Sequence, residues 1–187
     1  FPLYVLNTTE GMSQLADAQV DEAKPFLNRA ISGLYSPGST VKPFIALAAL
    51  QEGIISPYKQ IESKGSITIK NPYGGADTIF RDWKAHGYTD MREAIAVSSD
   101  VYFYTIGGGY ADQKGLGIAK IDEYLKLFGF AEKTGIDLPG ESKGVIPTPE
   151  WKLQTFDEEW RLGNTYHTSI GQYGSQVTAI QLARSVA

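Results

Sequence analysis

The sequence predicts one domain that mixes α-helices with short β-strands. Its 187 residues fit the size of a single domain with a buried core. Apolar residues make up 42% of the chain and charged residues 20%, a composition typical of a globular protein rather than a disordered or fibrous one. Several stretches repeat apolar residues every three or four positions and one repeats them every second position, so both helices and strands are expected.

The first third of the chain predicts a strand and two helices. Tyr4-Val5-Leu6 is typical of a strand, and residues 12–24 form a helix-like stretch. Turn-forming residues follow at Ser36-Pro37-Gly38. From Ser39 onward the apolar positions recur at helical spacing until Gly53 stops the pattern. The second helix therefore begins directly after the turn.

The middle of the chain predicts a short strand and two helical segments. Residues 65–70 alternate like a strand, and the turn cluster at residues 71–75 forms a surface hairpin or loop. Residues 91–97 are helical, residues 98–100 break the helix, and residues 101–106 open another buried segment rich in aromatic side chains. A serine-rich step therefore separates two buried segments.

The last third of the chain predicts an amphipathic helix over residues 118–128, which Gly129 ends. Residues 135–149 form a loop with three prolines and three glycines. Residues 181–187 are typical of a helix still in progress at the end of the chain. We therefore expect the chain to be a piece of a longer protein.

Charge and composition argue against several classes of function. The net charge is -4, from 17 basic and 21 acidic residues, and no basic cluster offers a surface for nucleic acid. The chain has no cysteine, which excludes disulfides, thiolate nucleophiles and cysteine-based metal sites. No apolar run approaches the roughly 20 residues of a membrane-spanning helix.

Ser39 and Lys42 form the first candidate catalytic pair. They lie three residues apart at a helix start, so their side chains share one face within mutual reach. A serine hydroxyl needs an adjacent base, and a lysine amine serves as that base when burial and the positive end of a helix favour its neutral form. The alternative is that Ser39 only caps the helix while Lys42 is solvated.

The residues around this pair resemble a known family. Asn28-Arg29-Ala30 and the run 35–44, which contains Pro-Gly-Ser-Thr-x-Lys-Pro, closely resemble the active-serine segment of class B penicillin-binding proteins. The resemblance implies that Ser39 is the nucleophile and Lys42 the general base of a peptidoglycan D,D-transpeptidase. It also implies the α/β (α+β) fold shared with β-lactamases, an antiparallel sheet flanked by helices.

A second motif follows at Ser98-Ser99-Asp100, where the family keeps Ser-x-Asn on a loop between two helices. The resemblance implies that Ser98 relays a proton between Lys42 and the leaving group, and that Asp100 holds the lysine and the substrate backbone. A carboxylate at position 100 also stabilises protonated Lys42, which opposes its role as base unless the pair shares a proton or Asp100 points elsewhere. The alternative is that one of these three residues caps the next helix.

Aspartate at position 100 resembles the elongation-specific branch of the family, penicillin-binding protein 2. The resemblance runs from residue 28 to residue 187. The other segments that carry it are Arg81-Asp82-Trp83-Lys84, Gly129-Phe130, residues 133–141 and Ser169-Ile170-Gly171-Gln172. It implies that residues 1–187 form a partial transpeptidase domain, without the N-terminal anchor, the pedestal and the C-terminal strand region.

Lys133-Thr134-Gly135 spells the third family motif, but we interpret it as a structural turn. The true motif lies on a strand that lines the cleft, whereas this copy follows a helix end and enters a proline-rich loop. The resemblance places the catalytic strand after Ala187, where it binds the substrate carboxylate and donates one oxyanion-hole amide. Losing one such donor costs about 10²–10³ in turnover, so the isolated chain is expected to have little or no activity.

No cofactor is expected. Some relatives in the elongation branch hold a structural zinc near the second motif through Asp, His and Cys. Asp82 and His86 are the nearest candidate ligands here, but position 99 is serine, and fewer than four ligands make a poor structural zinc site. We interpret His86 as a surface loop residue. We interpret His167 in the same way, because no partner for a Ser-His-Asp triad is identifiable.

The implied function is cross-linking of peptidoglycan stem peptides through an acyl-enzyme on Ser39 during cell elongation, with β-lactams acylating the same serine. The implied partners are stem peptides, β-lactams and a membrane glycosyltransferase of the elongation machinery. The implied location is the bacterial inner membrane, with the catalytic domain on its periplasmic face. Two alternatives stay open: a serine β-lactamase, which needs a water activator that the sequence does not identify, and a non-catalytic β-lactam sensor or scaffold domain.

Overall fold

The computed structural model describes residues 8–72 and 74–187, and the strand predicted at Tyr4-Val5-Leu6 lies outside them. The helices are α1 Thr9–Val20, α2 Lys42–Gln51, α3 Met91–Ala96, α4 Asp100–Gly108, α5 Gly117–Leu127, α6 Pro149–Phe156, α7 Leu162–Ser169 and α8 Ala179–Val186. The strands are β1 Ile61–Ser63, β2 Ser66–Ile69, β3 Thr78–Arg81 and β4 Gly87–Thr89. A single turn of 3-10 helix, Gly38–Val41, leads directly into α2.

The core lies between α2, α4, α5 and α7, which contact one another. α2 is buried over most of its surface because apolar and small residues occupy nearly every position. α4 is buried from Val101 to Gly107, which confirms the aromatic-rich buried segment predicted there. Phe44 of α2 packs edge-on against Phe130 after α5, with ring centroids 5.2 Å apart. Each such side chain removed from water contributes roughly 1.5–3 kcal/mol, so these helices form the framework of the domain.

Two glycines allow α4 and α7 to approach closely. A Cβ atom at Gly107 would lie 2.4 Å from Cβ of Ser169, and one at Gly108 would lie 2.4 Å from Cε1 of Tyr166. The Ser169 hydroxyl donates a hydrogen bond to the Phe103 carbonyl at 3.0 Å across the same contact. Any larger residue at either glycine would separate the two helices.

The described residues contain two small antiparallel sheets, in which β1 pairs with β4 and β2 pairs with β3. β2 confirms the strand predicted within residues 65–70. The backbone amides of Asp82 and His86 continue the two ladders beyond β3 and before β4. These bonds fix the ends of the loop 82–86, which lies against the start of α4. The predicted α/β fold with antiparallel strands and packed helices is confirmed.

Lys133-Thr134-Gly135 lies in an irregular segment after α5. The Glu141 carboxylate accepts hydrogen bonds from the Thr134 amide and from the Thr134 hydroxyl, both at 2.6 Å. The Thr134 hydroxyl and amide hold the pKa of Glu141 below its ordinary value. The structure therefore agrees with the interpretation of this copy as a turn rather than a catalytic strand.

The helix predicted at the end of the chain is α8. Thr178 caps it by accepting a hydrogen bond from the Gln181 amide, and the Gln181 side chain accepts one from the Thr178 amide. Across the described ranges, every helix is too short or too polar to cross a membrane.

Candidate active site

Ser39 lies in the exposed 3-10 turn directly before α2. The Gly38 amide donates a hydrogen bond to the Gly171 carbonyl at 3.0 Å, and the Ser36 hydroxyl donates to the same carbonyl at 2.7 Å. Among the described residues the Ser39 hydroxyl has no hydrogen-bond partner. The turn is thus anchored through its backbone, while the oxygen of the candidate nucleophile is accessible.

Lys42 is buried, with 2% of its side chain exposed. Its Nζ atom donates hydrogen bonds to the Ser98 carbonyl at 2.8 Å, to the Ser98 hydroxyl at 3.0 Å and to Oδ1 of Asp100 at 2.6 Å. These acceptors use all three hydrogens of an ammonium group. The alternative in which Lys42 is solvated is therefore wrong, and Ser39 makes no side-chain capping bond to the turn or to α2.

Ser98 has a left-handed backbone conformation, with φ of 54°. A residue other than glycine adopts this conformation at a cost of roughly 1–2 kcal/mol. Both the carbonyl and the hydroxyl of Ser98 accept hydrogen bonds from the same Nζ atom of Lys42. Unfavourable backbone conformations concentrate at functional sites, so this one supports a functional role for the serine-rich step.

Different residues of the serine-rich step cap α4 and contact Lys42. The Ser99 hydroxyl caps α4 by accepting a hydrogen bond from the Tyr102 amide at 3.3 Å. Asp100, whose side chain is 21% exposed, points at Lys42. The alternative in which the Asp100 carboxylate points away from Lys42 is therefore wrong.

Asp82 has a fully buried carboxylate in the loop that follows β3. Oδ2 accepts hydrogen bonds from the Ser99 hydroxyl at 2.8 Å, the Val101 amide at 3.0 Å and the Ser63 hydroxyl at 3.3 Å. Oδ1 accepts one from the Trp83 amide at 2.9 Å. Burial raises the pKa of Asp82, but the hydrogen bonds, chiefly from the Val101 amide and the Ser99 hydroxyl, outweigh it and lower that pKa below its ordinary value. The group is therefore ionised.

The prediction that His86 is a surface loop residue is wrong, because only 2% of its side chain is exposed. The ring packs edge-on against Trp83, with centroids 5.0 Å apart. Its Nε2 atom lies 3.4 Å from Oδ1 of Asp82 and makes no hydrogen bond. The loop is exposed at residues 83–85, whereas the side chains at its two ends, Asp82 and His86, are buried.

Asp82 and His86 do not fit a structural zinc site. No cluster of three His, Cys, Asp or Glu side chains converges within residues 8–72 and 74–187. The place of a thiolate ligand is taken by Ser99, whose hydroxyl already donates to Asp82 and accepts from the Tyr102 amide. Two candidate ligands fall short of the four that a structural zinc requires.

His167 lies half-buried on α7 rather than on a surface loop. Its ring is 5.4 Å from the Phe80 ring and 6.4 Å from the Tyr104 ring, centroid to centroid. Burial lowers the pKa of His167 below its ordinary value, although the negative charge of Asp100 opposes the shift. The ring therefore packs among aromatic side chains as a neutral group near the serine-rich step.

The depressed pKa of His167 predicts a pH-dependent stability. The unfolded chain takes up a proton on this residue as pH falls through the ordinary value of 6.5, and the folded protein resists it. The stability that the neutral ring contributes is present above that pH and is lost below it. We expect the melting temperature of wild type, relative to His167→Asn, to fall between about pH 7.5 and pH 5.5. An unchanged difference in thermal melts at the two pH values would contradict the assignment.

A sequence profile of the penicillin binding protein transpeptidase domain matches residues 5–187. The chain belongs to the penicillin-binding protein transpeptidase family. Two curated relatives of this transpeptidase domain are named peptidoglycan D,D-transpeptidase MrdA. The Acinetobacter baumannii protein is 41% identical over 166 residues, or 88% of this chain, and the Escherichia coli K12 protein is 34% identical over 168 residues, or 89% of it.

Solved structures of penicillin-binding protein 2 share the fold of this transpeptidase domain. The Pseudomonas aeruginosa protein in complex with WCK 5153 has a TM-score of 0.81 and 35% identity over 92% of this chain. The Helicobacter pylori protein in complex with MreC has a TM-score of 0.80 and 37% identity over 91% of this chain. The predicted resemblance to the elongation-specific branch is thereby confirmed.

The transpeptidase domain described here spans only part of these relatives. It covers 23% of the Acinetobacter protein and 25% of the Escherichia protein. It covers 36% of the Pseudomonas chain and 30% of the Helicobacter chain.

Gly171 contributes to the site of this transpeptidase domain in a way that sequence analysis missed. Its φ is 71°, and a Cβ atom there would lie 2.2 Å from the carbonyl oxygen of Gly38 and 2.7 Å from its nitrogen. Only glycine allows the chain to approach the Ser39 turn so closely. The signal was the glycine in Ser169-Ile170-Gly171-Gln172, which the resemblance singled out without a role.

Proposed function

We propose that this protein is a peptidoglycan D,D-transpeptidase that cross-links stem peptides through an acyl-enzyme on Ser39. The observation that carries the proposal is the buried Lys42 ammonium, held by Ser98 and Asp100 one helical turn after an accessible serine. Burying a lysine with three matched acceptors, one of them on a backbone in an unfavourable conformation, suits a proton-transfer group better than a structural ion pair.

The proposed reaction uses these groups in two half-reactions. Transfer of a proton from Nζ of Lys42 to Asp100 leaves a neutral amine, which takes the proton of Ser39 as Oγ attacks the carbonyl carbon between the two D-alanines. The C–N bond then breaks, and Ser98 passes a proton from Lys42 to the departing D-alanine amine. An amine of a second stem peptide attacks the acyl-enzyme, forms the cross-link and returns the proton to Ser39.

The names of the relatives support the proposed activity and partners. The Acinetobacter and Escherichia relatives carry the name peptidoglycan D,D-transpeptidase, and the Helicobacter relative was solved in complex with MreC. A further relative is a chain of a peptidoglycan synthase complex that coordinates polymerization and crosslinking. It is 28% identical to this chain, with a TM-score of 0.74. We propose stem peptides and β-lactams as ligands and a membrane glycosyltransferase of cell elongation as partner, on the periplasmic face of the inner membrane.

A fluorescent penicillin tests the proposal on the natural polypeptide that carries this sequence. We expect a long-lived covalent label, because a β-lactam acylates the nucleophile and blocks access to the acceptor amine. Peptide mapping should place the label on Ser39. The Ser39→Ala variant should carry none, whereas Ser56→Ala, which removes another exposed serine, should be labelled like wild type.

The same experiment separates the alternatives. Rapid turnover of the penicillin, with release of the hydrolysed product, would identify a serine β-lactamase. A stable label on Ser39 without transfer of a stem-peptide donor to an acceptor amine would identify a β-lactam sensor. A folded protein that takes no label would contradict the acyl-transfer function altogether.

A further inference from the structure

The Asp82 carboxylate lies at the N-terminus of α4, although it belongs to a loop 17 to 19 residues earlier in the chain. It accepts hydrogen bonds from the Ser99 hydroxyl and the Val101 amide, which flank Asp100. Its side chain is fully buried, so solvent does not screen the interaction with the helix end. A buried anion at this place satisfies amides that have no partner within the helix and interacts favourably with the helix dipole.

We propose that Asp82 is a positioning residue for the reaction, which fixes Ser98 and Asp100 against Lys42 by hydrogen bonds and without a metal ion. The inference rests on the proposed function of Ser39. Asp82 holds the residue between Ser98 and Asp100 and the residue after Asp100. Any displacement of these two anchors moves both partners of the Lys42 Nζ atom.

The hydrogen-bond directions favour this role over metal binding. The three groups around Oδ2, from Ser99, Val101 and Ser63, are all donors with their hydrogens aimed at the carboxylate. A metal ion would require lone pairs in that space instead. The Ser99 hydroxyl donates a hydrogen bond to Asp82 and accepts one from the Tyr102 amide. Oδ2 of Asp82 thus joins the loop to the start of α4, while Nε2 of His86, 3.4 Å from Oδ1, makes no hydrogen bond.

The two buried serines that donate to Asp82 allow a matched comparison. Ser99 is 0% exposed and belongs to the serine-rich step, whereas Ser63 is 1% exposed and belongs to β1. Both donate to the same Oδ2 atom. If Asp82 acts by positioning, loss of the Ser99 donor affects Lys42 and its partners, and loss of the Ser63 donor does not. Because the Ser99 hydroxyl also caps α4, the role belongs to Asp82 only if Asp82→Asn, which leaves that cap in place, lowers the same constant.

The test measures acylation of the natural polypeptide by fluorescent penicillin, with the rate resolved into non-covalent affinity and the first-order acylation constant. The Asp82→Asn variant keeps the shape of the side chain but removes its charge and one acceptor. We expect its acylation constant to fall about 10–100-fold with little change in affinity, because sub-ångström displacement of catalytic groups acts on the chemical step. Ser99→Ala should lower the same constant in the same direction, and Ser63→Ala should leave it near the wild-type value.

Three results would overturn the inference. The first is an acylation constant in Asp82→Asn equal to that of wild type, and the second is an equal loss in Ser99→Ala and Ser63→Ala. The third is one equivalent of zinc bound to the purified protein and lost in Asp82→Asn. If Asp82→Asn does not fold, Asp82→Glu, which keeps the charge and displaces the carboxylate, takes its place in the comparison. An unlabelled wild-type protein would overturn the proposed function and this role together, whereas a labelled wild type with an unaffected Asp82→Asn overturns this role alone.

Discussion

Replacement of Lys42 by methionine is expected to lower the acylation rate of Ser39 by about 10²–10⁴-fold, the contribution of a positioned general base. Methionine matches the length of the buried side chain and carries no proton acceptor of sufficient basicity. The substitution also leaves the Asp100 carboxylate, only 21% exposed, without its cation. Breaking a buried ion pair costs about 3–5 kcal/mol, and we expect the lower end here because Asp100 keeps some contact with water. Penicillin acylation rates and thermal or urea unfolding measure the two effects separately.

The double variant Lys42→Met/Asp100→Asn is the control that separates chemistry from folding. It removes the uncompensated carboxylate along with the lysine, so the stability should return most of the way to wild type. Acylation should stay as slow as in Lys42→Met, since the base is still missing. Recovery of acylation together with stability would show that Lys42 is only a structural ion-pair partner of Asp100.

Replacement of Gly171 by alanine is expected to destabilise the domain by about 2–4 kcal/mol through overpacking and a strained backbone. Its φ is 71°, and the new Cβ atom would lie 2.2 Å from the Gly38 carbonyl oxygen. The Gly38 backbone cannot yield without shifting the adjacent Ser39. We therefore also expect the surviving folded protein to be acylated about 10²-fold more slowly, because displacement of the nucleophile affects its alignment with the substrate.

Gly53→Ala provides a matched control for Gly171→Ala. Gly53 follows α2, its φ is 64°, and a Cβ atom there would meet no atom within 4 Å. It should therefore show the backbone cost of roughly 1–2 kcal/mol without the clash and without an effect on acylation. If the two variants lose equal stability and are acylated at equal rates, the contact between Gly171 and Gly38 does not position Ser39.

The places of Ser39 just before α2 and of Lys42 at its first residue could be predicted because a helix start depends on local sequence. Proton transfer between the two side chains stays a prediction, since the three partners of Lys42 Nζ belong to Ser98 and Asp100. The direction in which the Asp100 side chain points could not be predicted, because Ser98 before it has a left-handed backbone conformation. A serine in the sequence does not predict a positive φ. The sequence left two states open for the Lys42–Asp100 pair. The structure shows the direct contact at 2.6 Å.

The misplacement of His86 has a different origin. The loop 82–86 is short and contains charged residues, which locally favour an exposed turn. Residues 83–85 are indeed exposed, and only the side chains at the two ends of the loop, Asp82 and His86, are buried. The Trp83 indole ties the loop to a later part of the chain by donating to the Val97 carbonyl at 3.2 Å. Gly171 was overlooked for the same reason, because its requirement for glycine comes from Gly38. Local patterns predicted α1 to α5 and α8, missed α6 and α7, and could not report these distant contacts.

The contacts around the Ser39 turn join distant parts of the polypeptide. Lys42 and Asp100 are 58 positions apart, and Ser36 and Gly171 are 135 positions apart. Contacts of this kind form only after long loops have closed, at an entropic cost that grows with loop length. A chain whose helices have formed but whose loops are still open contains Ser39 without the contacts that hold Lys42 and the Ser39 turn in place. If Ser39 is acylated as proposed, penicillin labelling therefore counts the molecules in a preparation that have reached the native topology, in addition to measuring their chemistry.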